Sequence, residues 1–296
     1  MSTNGQPSST ALTAAAARAA HLIVDQPPVI FADTLAESLL SDQAEQLLGY
    51  HRAHGNHLVL ATARAQVTCR SRYTEDRVAE SIRAGIRQYV ILGAGLDTFA
   101  YRSELAPQVR IFEVDHPATQ QDKKHRLTAA NIPIPDNVTH VAQDFESETL
   151  ADGLATNGFD PSRPSIIAWL GVSMYLTHTA ISETLSAIGG FAPGTEIIMD
   201  YMLPKSLRDA TAQTYVDLVA PNAAERGEPW LTFLDPQELT TLLSGHGFQL
   251  IEHVRQHDML HAAEWDRQDT LKPSDLSCIA HARVRGPRDN STGQPE

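Results

Sequence analysis

The stretch that decides the fold is Tyr89-Val90-Ile91-Leu92-Gly93-Ala94-Gly95-Leu96-Asp97, and Ile111-Phe112-Glu113-Val114-Asp115 follows so that Asp115 stands twenty residues after Gly95. An apolar run rich in branched residues, closed by Gly-x-Gly and followed by a second run that ends in an acid, is typical of the first βαβ unit of a nucleotide-binding sheet. The pattern predicts a ligand at the carboxyl ends of parallel strands, but it does not by itself choose the ligand.

The choice of ligand depends on Asp97, which lies where a dinucleotide-binding protein brings a pyrophosphate to the N-terminus of a helix. A fixed carboxylate repels phosphate, so a cationic ligand without phosphate fits better. S-adenosylmethionine has a sulfonium, an ammonium and no phosphate, and Asp115 can accept hydrogen bonds from its ribose hydroxyls. Two alternatives stay open: Asp115 caps the helix that follows Pro117, or the chain is an NAD-dependent oxidoreductase, although the third glycine is missing.

The predicted third strand ends at Gln143-Asp144-Phe145, on the same edge of the sheet. Asp144 offers an acceptor for the exocyclic amine of an adenine, and the backbone N–H of Phe145 can donate to a ring nitrogen. The alternative for Asp144 is a cap for the helix that begins near Glu146.

Strands and helices alternate regularly from residue 88 to residue 201, with helices near 117–130, 147–156 and 178–189. The predicted strands cover residues 88–93, 109–114, 138–142, 165–170, 196–201, 248–254 and 276–284, the last two as an antiparallel pair. This pattern is typical of an α/β fold with a mostly parallel, Rossmann-like sheet of seven strands and helices on both faces.

Residues 13–285 are predicted to form a single domain, in which residues 13–86 are a helical cover that precedes the first strand. Within the cover, helices are predicted near residues 34–48 and 59–84.

Residues 203–236 break the alternation with four prolines around a helix near residues 205–219. An insertion of this length before the last strands is predicted to lie over the carboxyl edge of the sheet as a substrate lid. The polar ends of the chain, residues 1–12 and 286–296, are predicted to be disordered.

The charge balance argues against a nucleic-acid partner, because 23 Lys and Arg against 36 Asp and Glu give a net charge of -13. No run reaches the ~18 apolar residues of a membrane span. The N-terminus lacks the basic start and apolar centre of a secretory signal, so a cytoplasmic location is expected. Cys69 and Cys278 have no nearby partner for a zinc or disulfide motif. The sequence carries no signal for an oligomeric state.

Histidines recur at positions 51, 54 and 57 and at positions 253, 257 and 261. Gly55-Asn56 interrupts the first set, and the second set begins in a predicted strand without an acidic motif of the zinc-hydrolase kind. No metal site is predicted.

Four ordered motifs resemble the leucine carboxyl methyltransferase family, including its bacterial members related to polyketide carboxyl methyltransferases. They are YVILGAGLDTFAYR at 89–102, FEVDHP at 112–117, Gln143 to Phe145, and AWLGVSMYLT at 168–177. The likeness extends over roughly residues 60–285. It implies a class I methyltransferase dependent on S-adenosylmethionine, with O-methylation, often of a carboxylate, as the activity.

The resemblance also implies roles for single residues. By the family's pattern, the two glycines of the first motif contact the methionine part of the cofactor, the acid of the second motif the ribose, and the third motif the adenine. An arginine before the first strand binds the cofactor's carboxylate in this family; Arg70 is the best match and Arg72 is the alternative. The predicted cofactor-binding residues are therefore Arg70, Gly93, Gly95, Asp115, Asp144 and Phe145.

One position departs from the family. Many members carry a Glu followed by Gly near the end of the fourth strand, whereas this chain has Leu170-Gly171. That Glu commonly faces the cofactor, so its replacement removes an acceptor near the ammonium group. A non-catalytic binding protein on a degenerate methyltransferase scaffold is therefore a further alternative.

The expected reaction moves a methyl group from S-adenosylmethionine to an oxygen of a small-molecule acceptor, with a carboxylate favoured. A carboxylate is already ionised at neutral pH and requires alignment and exclusion of water rather than a general base, whereas a phenol or alcohol requires one. No catalytic residue is predicted. The side chains that are candidates to orient or anchor the acceptor, each with a packing, capping or ion-pair role as its alternative, are Tyr175, His178, Asp200, Tyr201 and Arg102.

Overall fold

The computed structural model describes residues 7–145 and 149–286. Its helices are α1 Ser9–Val24, α2 Ala36–Leu39, α3 Ala44–His54, α4 Leu58–Arg83, α5 Phe99–Arg102, α6 Pro117–Ala129, α7 Leu150–Thr156, α8 His178–Gly189, α9 Ala210–Glu225 and α10 Pro236–Gly245. Its strands are β1 Gln88–Leu92, β2 Arg110–Asp115, β3 Val138–Ala142, β4 Ile166–Trp169, β5 Glu196–Met202, β6 Phe248–Arg255 and β7 Ser277–Val284. None of the helices in the described ranges combines the length and hydropathy needed to cross a membrane.

The seven strands form one sheet in the order β3-β2-β1-β4-β5-β7-β6. Strands β1 to β5 pair in parallel, and β7 is antiparallel to both β5 and β6. Every residue of β1 and of β5 is buried, which is the pattern of strands that are covered on both faces. The prediction of a mostly parallel, seven-stranded sheet is confirmed.

Alternate side chains of the strands enter two hydrophobic cores. Val90 and Leu92 of β1 belong to a core that includes residues of α7, α8 and α10. Tyr89 and Ile91 belong to a second core, on the opposite face, with residues of α4 and α5. Helices therefore lie on both faces of the sheet. Because the strand order reverses at β1, a crevice opens between the carboxyl ends of β1 and β4, which is where ligands bind in sheets of this type.

The N-terminal helix begins before the predicted boundary. α1 starts at Ser9 and is capped by Ser8, whose hydroxyl accepts the N–H of Ala11 at 3.2 Å. The structure therefore differs from the expected disorder at residues 9–12, while residues 1–6 lie outside the described residues. The physical reason is a distant partner: the carboxylate of Glu228 accepts hydrogen bonds from Ser8 and Ser9.

Two other helices differ from their predicted bounds. The expected helix at 34–48 is divided into α2 and α3, because Ser41 between them adopts a left-handed conformation with a φ of 53°. The helix of the 203–236 insertion is α9, which is capped by Asp209 and continues past Pro221 to Glu225. A proline so near the end of a helix removes one backbone hydrogen bond and does not stop the last turn. Residues 146–148 and 287–296, which belong to a predicted helix start and the predicted tail, lie outside the described residues.

Candidate active site

A cavity of about 760 Å³ lies at the carboxyl ends of β1, β2 and β4. Its walls come from α1, α4, the loop after β1, the end of β2, the loop after β4 and the 203–236 insertion. The volume lies within the range of roughly 300–1,000 Å³ that small-molecule sites occupy. Of the predicted cofactor-binding residues, those that line the cavity are Arg70, Gly93, Gly95 and Asp115.

Asp115 is the last residue of β2, and it holds the loop that follows β1. We call this loop, Gly93-Ala94-Gly95, the glycine loop. Its Oδ2 accepts the N–H of Gly95 at 2.6 Å and its Oδ1 accepts the N–H of His116 at 2.7 Å. Burial raises the pKa of this carboxyl, and the two backbone donors act against that rise. Each oxygen retains a further lone pair for a ligand hydroxyl. The alternative that Asp115 caps α6 is wrong, since the cap is His116, whose Nδ1 accepts the N–H of Ala118 at 3.3 Å.

Glycine is required at the first position of this loop. Gly93 has a φ of 65°, and a Cβ added there would lie only 2.2 Å from Cγ2 of Val172 in the loop after β4. A residue with a side chain would therefore be strained and would collide with its neighbour. The loop can bring its backbone close to a ligand for the same reason.

Arg70 of α4 reaches the loop after β4. Its Nη1 lies 2.8 Å from Oδ2 of the fully buried Asp200, whose Oδ1 accepts the N–H of Gly171 at 2.6 Å. Gly171 has a φ of 71°, and a Cβ there would lie 2.6 Å from Nη2 of Arg70. Arg72, the alternative, pairs with Asp76 at 2.8 Å and its side chain is 41% exposed. The structure therefore places Arg70, rather than Arg72, on the cavity wall.

Charged side chains surround the glycine loop on the side of α4. Nε of Arg18 lies 2.7 Å from Oδ2 of Asp33. Arg102 bonds Glu75 and its Nε lies 3.5 Å from Oδ1 of Asp33, so the ion-pair alternative for Arg102 describes this structure. Burial raises the pKa of Glu75 to about 7, although the charge of Arg102 lowers it, and the charge of Asp97 raises it further.

The third motif lies beside the cavity rather than in its wall. Phe145 is buried in the core formed with α7 and α8, and Asp144 is half-buried. Neither Asp144 nor Phe145 is among the described residues that line the cavity. The backbone at this point is held by β2, since the N–H of Gln143 bonds the carbonyl oxygen of Asp115 at 2.9 Å. Their role toward adenine stays a prediction.

The start of α1 and the insertion meet above the cavity. Glu228 is only 3% exposed, and its carboxylate accepts bonds from the hydroxyls of Ser8 and Ser9, both at 2.7 Å, and from the N–H and hydroxyl of Thr10, both at 3.2 Å. We call this set of contacts the Glu228 latch. A Cβ added at Gly95 would lie 3.0 Å from the Cβ of Ala11, so α1 also packs directly on the glycine loop.

A cluster of aromatic and methionine side chains lies beyond the ends of β4 and β5. The rings of Tyr215 and Trp230 stack with their centroids 6.4 Å apart and an interplanar angle of 17°. We call the members that line the cavity the aromatic wall: Met174, Tyr175, Met202, Tyr215, Trp230 and Leu276.

The other candidate residues are separated by the structure. Tyr175 lines the cavity and Asp200 lies behind Arg70. His178 is exposed, 3.9 Å from Glu238, and the buried Tyr201 shares a hydrogen bond of 2.9 Å with His253. Tyr201 is therefore a packing residue, and His178 is a surface residue.

Two groups of cavity residues were not predicted from the sequence. Thr74 and Glu75 follow Arg70 and Ser71 by one helical turn, so the period of α4 places all four on one face; that spacing was a usable signal. Glu228 and Trp230 lie in an insertion without a motif, and no local signal identifies them.

Three features together define a class I methyltransferase fold. They are the strand order, the glycine loop held by an acid at the end of β2, and a cavity at the point where the strand order reverses. The family model described as leucine carboxyl methyltransferase matches residues 11–189, more than half of the chain. This protein belongs to the leucine carboxyl methyltransferase family. Family membership decides against the oxidoreductase alternative.

Relatives agree with this assignment. The chain is 31% identical over 299 residues to "Putative S-adenosyl-L-methionine-dependent methyltransferase YktD" of Bacillus subtilis (strain 168), with 94% of this chain and 98% of the relative covered. It is 30% identical over 284 residues to a protein of the same description, without the name YktD, from Mycolicibacterium paratuberculosis (strain ATCC BAA-968 / K-10), with 83% and 89% covered. The protein is an S-adenosylmethionine-dependent methyltransferase.

Two solved structures share the fold. One, described as a "putative methyltransferase" from Thermobifida fusca YX, has a TM-score of 0.59 at 19% identity and covers 96% of this chain and 97% of its own. The other, a DUF574 family protein from Streptomyces avermitilis MA-4680, has a TM-score of 0.59 at 17% identity, with 90% and 96% covered. At this level of identity the likeness concerns the fold alone.

The cofactor of this protein is S-adenosylmethionine, and the residues present fit it. The glycine loop has no room for side chains, as Gly93 shows. Asp115 has lone pairs for ribose hydroxyls, and Arg70 has a guanidinium for a carboxylate. The cavity also contains an orphaned polar atom, the buried Oγ1 of Thr74, which has no hydrogen-bond partner in the described chain.

Proposed function

We propose that the protein methylates an oxygen of a small-molecule carboxylic acid, held between the glycine loop and the aromatic wall. Bound S-adenosylmethionine supplies an electrophilic methyl group on a sulfonium sulfur. In this proposal Arg70, Gly93, Gly95, Asp115, Asp144 and Phe145 bind the cofactor, and no side chain acts as a catalytic base.

The observation that carries the proposal is that the basic atoms near the aromatic wall are already engaged. Burial raises the pKa of Tyr175, and it raises the pKa of Tyr215 to about 12, so neither phenol provides a phenolate base at pH 7. The carboxylate of Glu228 is bound by the latch. These groups suit an acceptor that arrives ionised, because a carboxylate needs no proton removed.

The three histidines among the described residues of the cavity wall also support a reaction without a catalytic base. Nδ1 of His51 lies 3.3 Å from Nη1 of Arg64. Nδ1 of His57 and of His116 accept backbone N–H groups, also at 3.3 Å. With Nδ1 accepting, the neutral ring carries its proton on Nε2 and donates from there.

The size and roof of the cavity support a small acceptor. In the proposal, α1 and the 203–236 insertion act as the cover and the lid, joined by the Glu228 latch. Exclusion of water and alignment of the acceptor are the contributions that this reaction requires of the protein. The neutral phenols and the stacked pair of Tyr215 and Trp230 would hold a flat or apolar body against the wall.

The proposal is tested by determining which kind of bond the transferred methyl group forms in the product. Purified protein is incubated with methyl-labelled S-adenosylmethionine and matched sets of aromatic and aliphatic acids, alcohols, phenols and amines. We expect label to enter the acids and to be released as volatile methanol by mild alkali, as methyl esters are. Label that resists alkali would replace the proposal by ether or amine formation. Cofactor binding without transfer to any of these classes would overturn the proposed acceptor.

A further inference from the structure

The position from which this family commonly offers a carboxylate to the cofactor holds Leu170 in this chain. Leu170 lies on the cavity wall at the end of β4, beside Arg70 and Gly93. A leucine cannot accept a hydrogen bond, and an ammonium group in a cavity requires a compensating acceptor or anion. A carboxylate that takes this role has to come from another element.

Helix α4 offers one on the same face as Arg70. Thr74 is 1% exposed and its Oγ1 has no partner within the described residues. A helical threonine usually bonds a carbonyl one turn back, as Thr68 does with the carbonyl oxygen of Arg64 at 2.7 Å. The free hydroxyl of Thr74 is therefore unusual, and it lies on the wall of the cavity next to Glu75.

When Glu75 is ionised, the charges around it leave an excess of one negative charge. Arg18 and Arg102 face three carboxylates, those of Asp33, Glu75 and Asp97. Oε1 of Glu75 bonds Arg102, and Oε2 makes no hydrogen bond within the described chain. Glu75 is 20% exposed and belongs to the cavity wall. A ligand cation at this point balances the cluster and gives Oε2 a donor.

We infer that Glu75, with the hydroxyl of Thr74, binds the ammonium group of the cofactor and replaces the missing carboxylate at the end of β4. The inference rests on the proposed role of Arg70 toward the cofactor's carboxylate. One face of α4 then recognises both charges of the amino-acid end, Arg70 the negative and Glu75 the positive.

The test compares two nucleosides by calorimetry. S-adenosylhomocysteine has the amino-acid end, and 5′-methylthioadenosine lacks it. We expect Glu75→Gln to weaken the binding of S-adenosylhomocysteine by about tenfold, the loss typical of one charge-assisted hydrogen bond. The affinity for 5′-methylthioadenosine should stay within about twofold of the parent's. Asp76→Asn, which removes the exposed neighbour that pairs with Arg72, should change neither.

Several results would overturn the inference. Unchanged binding of S-adenosylhomocysteine to Glu75→Gln does so, and so does an equal loss for both nucleosides in a folded variant, because the loss would then not depend on the amino-acid end. If Glu75→Gln does not fold, Thr74→Val takes its place, with a smaller but equally selective loss expected. Binding of 5′-methylthioadenosine also shows that the nucleoside site exists. The outcome is independent of which acceptor is methylated.

A second readout is the pH dependence of binding. The groups that face Glu75 are Arg102 of α5, Asp33, Asp97 and Tyr89 of β1, and Arg18 of α1 is bound to Asp33. Because burial raises the pKa of Glu75 to about 7, lowering the pH from 8 to 6 protonates this carboxylate. The binding of S-adenosylhomocysteine should therefore become weaker. The dependence should vanish in Glu75→Gln, and 5′-methylthioadenosine should not show it. A pH response that persists in the variant contradicts the assignment.

Discussion

At the scale of single residues, Arg70 and Arg72 illustrate how a two-residue difference on a helix changes a side chain's environment. Both are arginines of α4, but Arg70 lines the cavity and pairs with the buried Asp200, whereas Arg72 pairs with the exposed Asp76. The difference follows from the helical period, which rotates positions two apart by about 200°.

We predict that Arg70→Lys binds S-adenosylhomocysteine about tenfold more weakly. Lysine keeps the positive charge beside Asp200, so the fold is retained, but it loses the planar fork that binds a carboxylate through two N–H groups. Calorimetry measures the change. Arg72→Lys is the matched control and should bind as the parent does. Equal affinities in the two variants would remove Arg70 from the cofactor site.

The sequence was sufficient to predict which residues meet where their placement depends on local spacing. Asp115 follows the glycine loop at the interval of a βαβ unit, and the structure shows it bonded to Gly95. Glu75 was not identified, although the period of α4 places it on the face of Arg70, because an acidic pair, Glu75-Asp76, on a long helix is normally solvated. Its burial depends on Arg102, which is 27 residues away in the chain, and no sequence pattern reveals that contact.

At the scale of elements, strands were easier to predict than helices. The five residues of β1 and the seven of β5 are apolar or buried throughout, so continuous runs mark them. Helix boundaries depended on single events. Ser41 divides α2 from α3 by its backbone conformation, and α1 extends toward residue 9 because Glu228 binds its first turn. Neither event has a local signature.

The Glu228 latch gives a prediction for cofactor exchange. Glu228→Ala removes four hydrogen bonds between α1 and the insertion, so we expect S-adenosylhomocysteine to dissociate at least about tenfold faster, on the scale of one hydrogen bond to a charged group. Stopped-flow fluorescence can follow release, because Trp230 lines the cavity. Glu225→Ala, on the exposed end of α9, is the control. An unaltered dissociation rate would mean that α1 and the insertion do not gate the site.

At the scale of the whole molecule, the antiparallel end of the sheet is tied to the parallel part by charge. Glu196 opens β5, and its carboxylate lies 3.0 Å from Nε2 of His281 and 2.6 Å from Nη2 of Arg283, both on β7. Burial opposes ionisation of Glu196, but these partners outweigh it and lower its pKa to about 2. An ionised side chain therefore ties β7 to β5, in addition to the apolar residues of β7 in the core.

This dependence predicts how Glu196→Gln changes stability with pH. Because the pKa of Glu196 is lower in the folded protein than in the unfolded chain, its contribution is present above about pH 4.5 and is lost as the pH falls toward 2. Arg283 is 53% exposed, so solvent screens part of the interaction, and we expect a loss of about 2 kcal/mol at pH 7 and about 1 kcal/mol at pH 3. Urea unfolding at the two pH values measures both, with Glu183→Gln on the exposed side of α8 as the control. A loss of the same size at both pH values would show that Glu196 stabilises the sheet through packing and not through its charge.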